Sequence, residues 1–263
     1  FLLGALLPSA LGTQNTASAT RLGVVDGIVQ EAIRDQQIPG AVVLIGHDGQ
    51  VIYRKAFGER ALEARREPMS VDTIFDVASL TKVVATSIAV TQLVQKGQVR
   101  ENEPVAKYIP EFAENGKDEI TVRELLTHHS GLPQDLDLSQ PWEGRETALH
   151  MAYSEKPIFA PGSQFLYSDV NFIVLGALVE HVSGMSLDEY CRKNIFLPLN
   201  MTHTRFLPPA AWSPKIAPTQ FDEHDKMLRG VVHDPTARRM GGVAGHAGVF
   251  STVDDLATVS YTH

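Results

Sequence analysis

Residues 76–85 read Asp-Val-Ala-Ser-Leu-Thr-Lys-Val-Val-Ala and place the hydroxyl of Ser79 three positions before the amine of Lys82. On a helix, side chains at positions i and i+3 lie on the same face. A serine hydroxyl is a weak nucleophile that needs an adjacent base, and a lysine can be that base where burial or a neighbouring cation lowers its pKa. Residues 83–90 are nearly charge-free and predict little water around Lys82. The pair therefore predicts a nucleophile and its base, although an N-cap serine followed by a snorkelling lysine is the alternative from this stretch alone.

The composition describes an ordinary globular protein that fits one large domain or two modest ones. Of 263 residues, 43% are hydrophobic and 21% are charged, which is enough apolar material for a substantial core. The net charge is −8 and the basic residues are scattered, so a nucleic-acid partner is not expected. The single cysteine, Cys191, predicts a small core residue, and no Cys/His cluster has the spacing of a zinc finger.

The first residues predict an exported bacterial protein, either periplasmic or extracellular. Phe1-Leu-Leu-Gly-Ala-Leu-Leu7 is typical of a signal-peptide core, and Ala17-Ser-Ala19 is a small-x-small cleavage site. We therefore interpret residues 1–19 as a signal-peptide remnant, with a disordered N-terminus as the alternative. The apolar run is too short to span a bilayer, so no stable membrane span is expected.

Hydrophobic periodicity predicts a hairpin near the start of the chain and mostly helices after it. Asp48-Gly49 lies between two apolar runs and predicts a β-hairpin. Thr121 with Glu124 three residues on forms a capping-box pattern. The predicted elements are a helix over 20–36, strands over 41–45 and 51–57, the helix of Ser79, buried helices over 172–179 and 187–195, a strand over 248–252 and a helix from Asp254.

A tyrosine at the mouth of the helix over 172–179 adds a third chemical group. Tyr167 follows a Pro-Gly turn at 161–162, and a phenol in such a loop can donate or accept a proton. The alternative is an amphipathic tyrosine that anchors the loop.

These segments, taken in order, resemble the serine β-lactamase and penicillin-binding-protein superfamily. The similarity points to its class C-like branch, which includes D-alanyl-D-alanine carboxypeptidases and β-lactamase-like esterases. Five matched segments in one order are more specific than any single one. They are Ser79-Leu-Thr-Lys82, Leu125-Leu-Thr-His-His-Ser-Gly-Leu-Pro133, Tyr167-Ser-Asp-Val-Asn-Phe172, Ile195-Phe-Leu-Pro-Leu-Asn-Met201 and the run from Gly242 to Ala257.

The resemblance implies an acyl-enzyme mechanism, for which no metal and no organic cofactor are expected, and a role for each matched residue. Ser79 corresponds to the nucleophile, Lys82 to its base, and Tyr167 to a general acid/base. Asp169 stands where the family usually has Asn, and an ionised Asp accepts but does not donate hydrogen bonds. Asp169 could pair with Lys82 or with a substrate amine. The backbone N–H of Ser79 is expected to be an oxyanion-hole donor.

His246-Ala247-Gly248 resembles the His-x-Gly form of the family's third motif. The residues after it match a different family segment, a wall of the cleft, so we expect the third motif beyond His263 and a chain truncated at its C-terminus. His246 and Ala247 are then predicted to line the substrate pocket. His128 and His129 are predicted to be structural, at a helix end where a protonated histidine suits the dipole.

The resemblance implies an α/β fold of the α+β type, in which a mostly helical domain is inserted into an antiparallel sheet domain. Residues 20–263 form the hydrolase domain, with the sheet part over 20–60 and 240–263 and the helical part over about 61–239. The expected substrate is a β-lactam, a peptidoglycan peptide ending in D-Ala-D-Ala, or a small ester. Asp169 and the missing motif leave open a catalytically silent cell-wall-binding module. A Ser-His-Asp hydrolase would need a Gly-x-Ser-x-Gly elbow, which the chain lacks.

Overall fold

The computed structural model describes residues 14–63 and 65–262, and the side chains of 22–63 and 65–261. It has a mixed α/β fold with antiparallel sheets, as predicted. The chain divides into two compact units between Val71 and Asp72. Most of the predicted signal-peptide remnant lies outside the described residues, and the predicted division of 20–263 into sheet and helical parts stays a prediction.

The first unit contains one helix and a three-stranded antiparallel sheet. Helix α1 (Gln14–Arg34) precedes strands β1 (Gly40–His47), β2 (Gln50–Ala61) and β3 (Glu67–Pro68), which lie in the order β1-β2-β3. The predicted hairpin is confirmed, because β1 pairs with β2 around Asp48 and Gly49, whose φ angles of +50° and +74° suit a tight turn. The predicted helix start at Thr20 is wrong: α1 begins six residues earlier, in a stretch that has no Pro or Gly to stop it.

The second unit contains a small sheet made of very short strands. Strands β4 (Phe75–Asp76), β5 (Arg205–Phe206) and β6 (Val249–Ser251) lie in the order β4-β6-β5, and both pairings are antiparallel. The sequence predicted only the strand that contains β6. Two-residue strands carry no detectable alternation, so β4 and β5 could not be found by periodicity.

Helices make up most of the second unit and enclose its core. The predicted buried helix over 172–179 is confirmed, because every residue from Val170 to Val179 on α5 is buried. The helix predicted over 187–195 is present but exposes charged residues and becomes a π-helical turn at Arg192. The capping box at Thr121 and Glu124 is confirmed, with each residue bonded to the backbone N–H of the other. The α-helices are α2 (Ser87–Gln95), α3 (Val122–Leu126), α4 (Arg145–Ser154), α5 (Asp169–Ser183), α6 (Leu187–Cys191), α7 (Pro235–Arg239) and α8 (Val253–Thr262), with π-helical turns at Lys82–Thr86 and Arg192–Phe196.

Within the described residues, no single helix is both long enough and apolar enough to cross a membrane. The pair formed by α5 and the segment Leu187–Phe196 reaches the required length and composition only when combined across a 75° bend.

Candidate active site

The turn that carries Ser79 is held open to solvent just before a helix begins. Ala78 has a φ of +45°, an unusual value for a residue with a Cβ, and its N–H donates to Asp76 Oδ1 over 2.9 Å. Ser79 is exposed and lies in this turn, and the helical segment starts at Leu80. The predicted helix is therefore present, with Ser79 at its entrance. Among the described residues, no hydrogen bond to the Ser79 N–H is present, so this N–H is free to act as the predicted oxyanion donor.

Lys82 is buried directly beneath Ser79. Its side chain is 4% exposed, and its Nζ donates to Ser79 Oγ over 3.1 Å and to the backbone oxygen of His246 over 3.1 Å. It lies in a π-helical turn, which widens the helix by one residue at this point. The predicted proximity of the hydroxyl and the amine is thus observed, while their catalytic roles remain predictions.

Asp169 supplies the counter-charge for the Lys82 ammonium. Its Oδ1 lies 2.6 Å from Lys82 Nζ as an ion pair, although no hydrogen bond of ordinary angle reaches that oxygen. Asp169 is the first residue of α5, where Ser168 is the N-cap and accepts from the N–H of Asn171. Asp169 was expected to pair either with Lys82 or with a substrate amine, and the structure shows the pair with Lys82.

Tyr167 borders the same ammonium on its open side. It is 39% exposed, and Lys82 Nζ lies 4.8 Å from the centre of its ring. Its ring also lies 4.5 Å from that of His128, at an angle of 31°. In the described part of the chain, no hydrogen bond to the Tyr167 hydroxyl is present. The phenol can therefore meet a ligand at the surface, and its general acid/base role remains a prediction.

His128 differs from the protonated helix-end histidine that was expected. Burial, with the nearby Lys82 charge, lowers the pKa of His128, so the neutral imidazole is favoured at neutral pH. Its Nδ1 accepts from the N–H of Ser168 over 3.1 Å, which fixes Nδ1 as the unprotonated nitrogen. The dipole argument failed because the ring turns into the Tyr167 side of the site. His129 stays outside, with Nδ1 2.7 Å from the backbone oxygen of Thr127.

His246 and Ala247 lie under the site. Both are buried, and the His246 imidazole is 1% exposed and contacts Asp234 Oδ1 through Nε2 over 2.9 Å. It is the backbone oxygen of His246, one of the Lys82 acceptors, that reaches the reactive pair. The predicted contact of His246 and Ala247 with substrate stays a prediction.

Asp169, Asp234 and His246 each offer a ligand atom, and these atoms lie within 4.8 Å of one another. A carboxylate–carboxylate–imidazole set is able to bind a divalent metal. The Lys82 ammonium already lies on Asp169 Oδ1, so a metal would compete with that cation for the same oxygen.

Sequence reasoning missed Asp76 and Asp234. The Asp76 carboxylate accepts from Ala78 in the Ser79 turn and, over 2.7 Å, from the N–H of His233. Burial raises the pKa of Asp76 against these hydrogen bonds. Asp76 thereby joins the Ser79 turn to the loop of Asp234. No motif marked either residue, because only the fold brings residues 76 and 233 together.

The family model of beta-lactamases matches residues 25–262 of this chain. The chain belongs to the beta-lactamase family. Among curated relatives, a protein of Escherichia coli O157:H7 provisionally named D-alanyl-D-alanine carboxypeptidase is 32% identical, over 92% of this chain and 63% of its own length. A Salmonella agona protein of the same name is 31% identical, over 97% of this chain and 66% of its own length. The chain thus spans less than two thirds of the length of these relatives.

Several solved structures share the fold of this chain. An octameric penicillin-binding protein homologue from Pyrococcus abyssi has a TM-score of 0.74 at 28% identity, over 90% of this chain and 55% of that chain. The hydrolase EstCE1, described as having promiscuous acyltransferase activity, has a TM-score of 0.75 at 26% identity, over 94% and 72% of the two chains. A class C beta lactamase has a TM-score of 0.76 at 22% identity, over 95% of this chain and 66% of that chain, and shows likeness of fold alone.

Proposed function

We propose that this protein is a serine hydrolase that acts through an acyl-enzyme at Ser79. The observation that carries the proposal is the contact of 3.1 Å between an exposed serine hydroxyl and a buried lysine amine. A buried amine beside a solvent-facing hydroxyl is the arrangement that activates a serine. Membership of the beta-lactamase family supports the same chemistry.

The proposed reaction has two halves. Ser79 Oγ attacks the carbonyl carbon of the substrate while its proton passes to the Lys82 amine, and the Ser79 N–H stabilises the oxyanion. The tetrahedral intermediate then expels the leaving group, which receives a proton through the Tyr167 hydroxyl. Water attacks the resulting ester, and the acid product and the serine hydroxyl are released. Because Lys82 rests as an ion pair, Asp169 or water must first take one ammonium proton.

The substrate class we favour is a peptide that ends in D-Ala-D-Ala. The curated relatives named D-alanyl-D-alanine carboxypeptidase support this choice. A β-lactam resembles such a peptide in presenting an acyl carbon to the serine, and a small ester presents the same group without an amide. The exposed Tyr167 ring and the buried lysine suit all three.

Intact-mass spectrometry of the full-length protein tests the proposal. Incubation with benzylpenicillin should add the mass of one penicillin, and a D-Ala-D-Ala peptide should lose its terminal D-Ala. Ser79→Ala should abolish both results, whereas Ser87→Ala, a change further along the same helical segment, should leave them unchanged. An adduct that persists in Ser79→Ala, or a wild-type protein that gives neither result, would refute the proposal.

A silent penicillin-binding module is the second candidate, and the ion pair of Lys82 with Asp169 favours it, because an ammonium is no base. This candidate predicts that benzylpenicillin binds without a covalent adduct. Asp169→Asn, which removes the counter-charge and keeps the side-chain shape, should then produce an adduct that the parent protein does not form.

We also propose that the protein is exported. The apolar residues 1–7 and the small residues Ala17 and Ala19 support this, and N-terminal sequencing of the mature protein would test it. Cleavage after Ala19 is the expected result, and a mature chain that retains residues 1–19 in the cytoplasm would refute it.

A further inference from the structure

A second pair, the buried His246 and the partly exposed Asp234, lies near the Lys82 side chain. The His246 imidazole is 1% exposed and its Nε2 is 2.9 Å from Asp234 Oδ1. Ligand atoms of this pair and of Asp169 lie within 4.8 Å of one another, and Asp169 Oδ1 is itself 2.6 Å from Lys82 Nζ. The Lys82 ammonium therefore faces two carboxylates, only one of which touches it.

The protonation of this pair follows from its hydrogen bonds. His246 Nδ1 is buried without a partner, whereas Nε2 meets a carboxylate oxygen. A proton on Nδ1 would be a buried donor with no acceptor, so the hydrogen bond of this pair is the one that Nε2 donates to Asp234. Burial raises the pKa of Asp234, but the hydrogen bond and charge of His246, the Ala237 N–H and the charge of Lys82 together hold it below its usual range. The partly exposed Asp234 carboxyl is thus ionised at neutral pH.

The backbone at His246 is pressed against the helices of the site. The carbonyl of Gly245 accepts from Thr86 Oγ1 over 2.7 Å, and the carbonyl of His246 accepts from Lys82 Nζ over 3.1 Å. A Cβ on Gly245 would lie 1.9 Å from the backbone oxygen of Phe172, so only glycine permits this approach to α5. The carbonyl that holds Lys82 is therefore placed by close backbone packing on one side and by the His246 imidazole on the other.

We propose that Asp234 and His246 are positioning residues for Lys82. The Asp234–His246 hydrogen bond anchors the segment whose carbonyl orients the Lys82 amine toward Ser79, and the Asp234 carboxylate stabilises the protonated form of that amine. Among the described residues, no hydrogen bond joins this pair to the Ser79 hydroxyl, whereas the His246 backbone oxygen accepts from Lys82, so we take the pair to act through Lys82. This inference rests on the proposed function, because it assigns the pair to the same acyl transfer.

The charge of Asp234 can be separated from its hydrogen bonding by the variant Asp234→Asn. The Asn side chain keeps an oxygen that can cap α7 and accept from His246, but it carries no charge. Several other polar or titratable groups lie around Lys82. They are Ser79 on its own turn, Asp169 and Tyr167 at the start of α5, His128 after α3, Asp234 and His246, with Asp135 against the last two. Asp234→Asn changes none of these other side chains, although it removes a charge that also acts on Asp135.

The test is the rate of Ser79 acylation by benzylpenicillin across pH 5–10 in the full-length protein. A rate that needs the free Lys82 amine rises with pH, and with one negative charge fewer the ammonium loses its proton more readily. We expect the rising limb in Asp234→Asn to move to lower pH by about one unit, with the plateau rate within about threefold of wild type. Asp137→Asn, which removes an exposed and solvent-screened charge, should leave the limb in place.

The geometric half of the proposal has its own variants. His246→Leu removes the imidazole N–H that donates to Asp234, and it should lower the plateau rate of acylation at least tenfold. In His246→Gln the amide can still donate, and the plateau rate should stay within about threefold of wild type. A limb that does not move in Asp234→Asn overturns the charge role, and a His246→Gln that falls as far as His246→Leu overturns the anchoring role. A wild-type protein that is never acylated refutes the proposed function instead, so the two failures are distinguishable.

Discussion

Two lysines are buried in the second unit of this protein, and their surroundings differ in kind. Lys82 faces a serine hydroxyl, one backbone carbonyl and a carboxylate, and an exposed serine lies beside it. Lys117 is fully buried, and its Nζ donates to the backbone oxygens of Glu114, Tyr153 and Glu155 over 2.6–2.8 Å.

The difference separates the amine that we propose to be reactive from a structural one. Three carbonyls use all three donors of the Lys117 ammonium, and two of them lie where α4 ends, so this lysine closes a helix terminus against a loop. Burial lowers the pKa of Lys117, and the Glu114 and Glu155 charges oppose the shift. Lys82 instead directs one donor at a group that can react. Burial alone therefore does not mark a catalytic lysine; the chemistry of its acceptors does.

The largest effect should follow from removing the reactive lysine. Lys82→Ala leaves Ser79 without a base, and we expect the acylation rate constant to fall about 10⁴-fold, equivalent to about 5.5 kcal/mol of barrier. Single-turnover kinetics with benzylpenicillin measure this rate. Lys156→Met, an exposed lysine, is the control and should acylate at the wild-type rate. A Lys82→Ala protein that acylates at a tenth of the wild-type rate would place the base elsewhere.

Removing the structural lysine, Lys117, should lower the stability of the protein and leave the acylation rate unchanged. Lys117→Met leaves three buried carbonyls without their donor, and we expect the free energy of unfolding to fall by about 3 kcal/mol. Urea unfolding of the full-length protein measures it, again with Lys156→Met as the matched control. The folded fraction should retain its acylation rate. A loss under about 0.5 kcal/mol would mean that water replaces the ammonium without cost.

The same two lysines show how far the sequence could predict the site. Lys82 was found because it follows Ser79 by three positions and precedes a nearly charge-free run, and because four other matched segments occur with this one in order. Lys117 lies in Gly116-Lys-Asp-Glu119, which has the composition of a solvent-exposed turn. Its three acceptors come from two segments about 40 positions apart, and nothing local marks backbone oxygens as acceptors.

Elements marked by a local sequence pattern, such as a turn, a cap or a long apolar run, could be predicted from the sequence. Contacts between residues far apart in the sequence could not. The hairpin at Asp48-Gly49, the capping box at Thr121 and the buried α5 each follow from local chemistry. The Asp169–Lys82 ion pair was one of two alternatives, because only the placement of α5 decides it. The Asp234–His246 pair was missed, because residue 246 was assigned to the substrate pocket by motif and no local pattern links it to residue 234.

The smallest expected effect tests how the Lys82 charge influences the pKa of the neighbouring His128. Burial and Lys82 lower the pKa of His128, so below about pH 6.5 the unfolded chain binds a proton that the folded chain resists. The contribution of His128 to the free energy of unfolding is therefore complete above the pKa that His128 has in the unfolded chain. It is lost as the pH falls from that pKa to the lower pKa of the folded chain. We expect the free energy of unfolding to fall less between pH 7 and pH 5 in His128→Asn than in wild type, by under about 1.4 kcal/mol. Asn tolerates the φ of +58° at this position.

Urea unfolding at both pH values measures this difference, and His150→Asn on the exposed face of α4 is the control, whose pH dependence should match wild type. The Lys82 contribution appears in a double-mutant cycle. In a Lys82→Ala background the ammonium is absent, so the extra pH dependence due to His128 should shrink. An unchanged dependence would assign the lowered His128 pKa to burial alone and confine the influence of Lys82 to its direct contacts, Ser79, Asp169 and the His246 carbonyl.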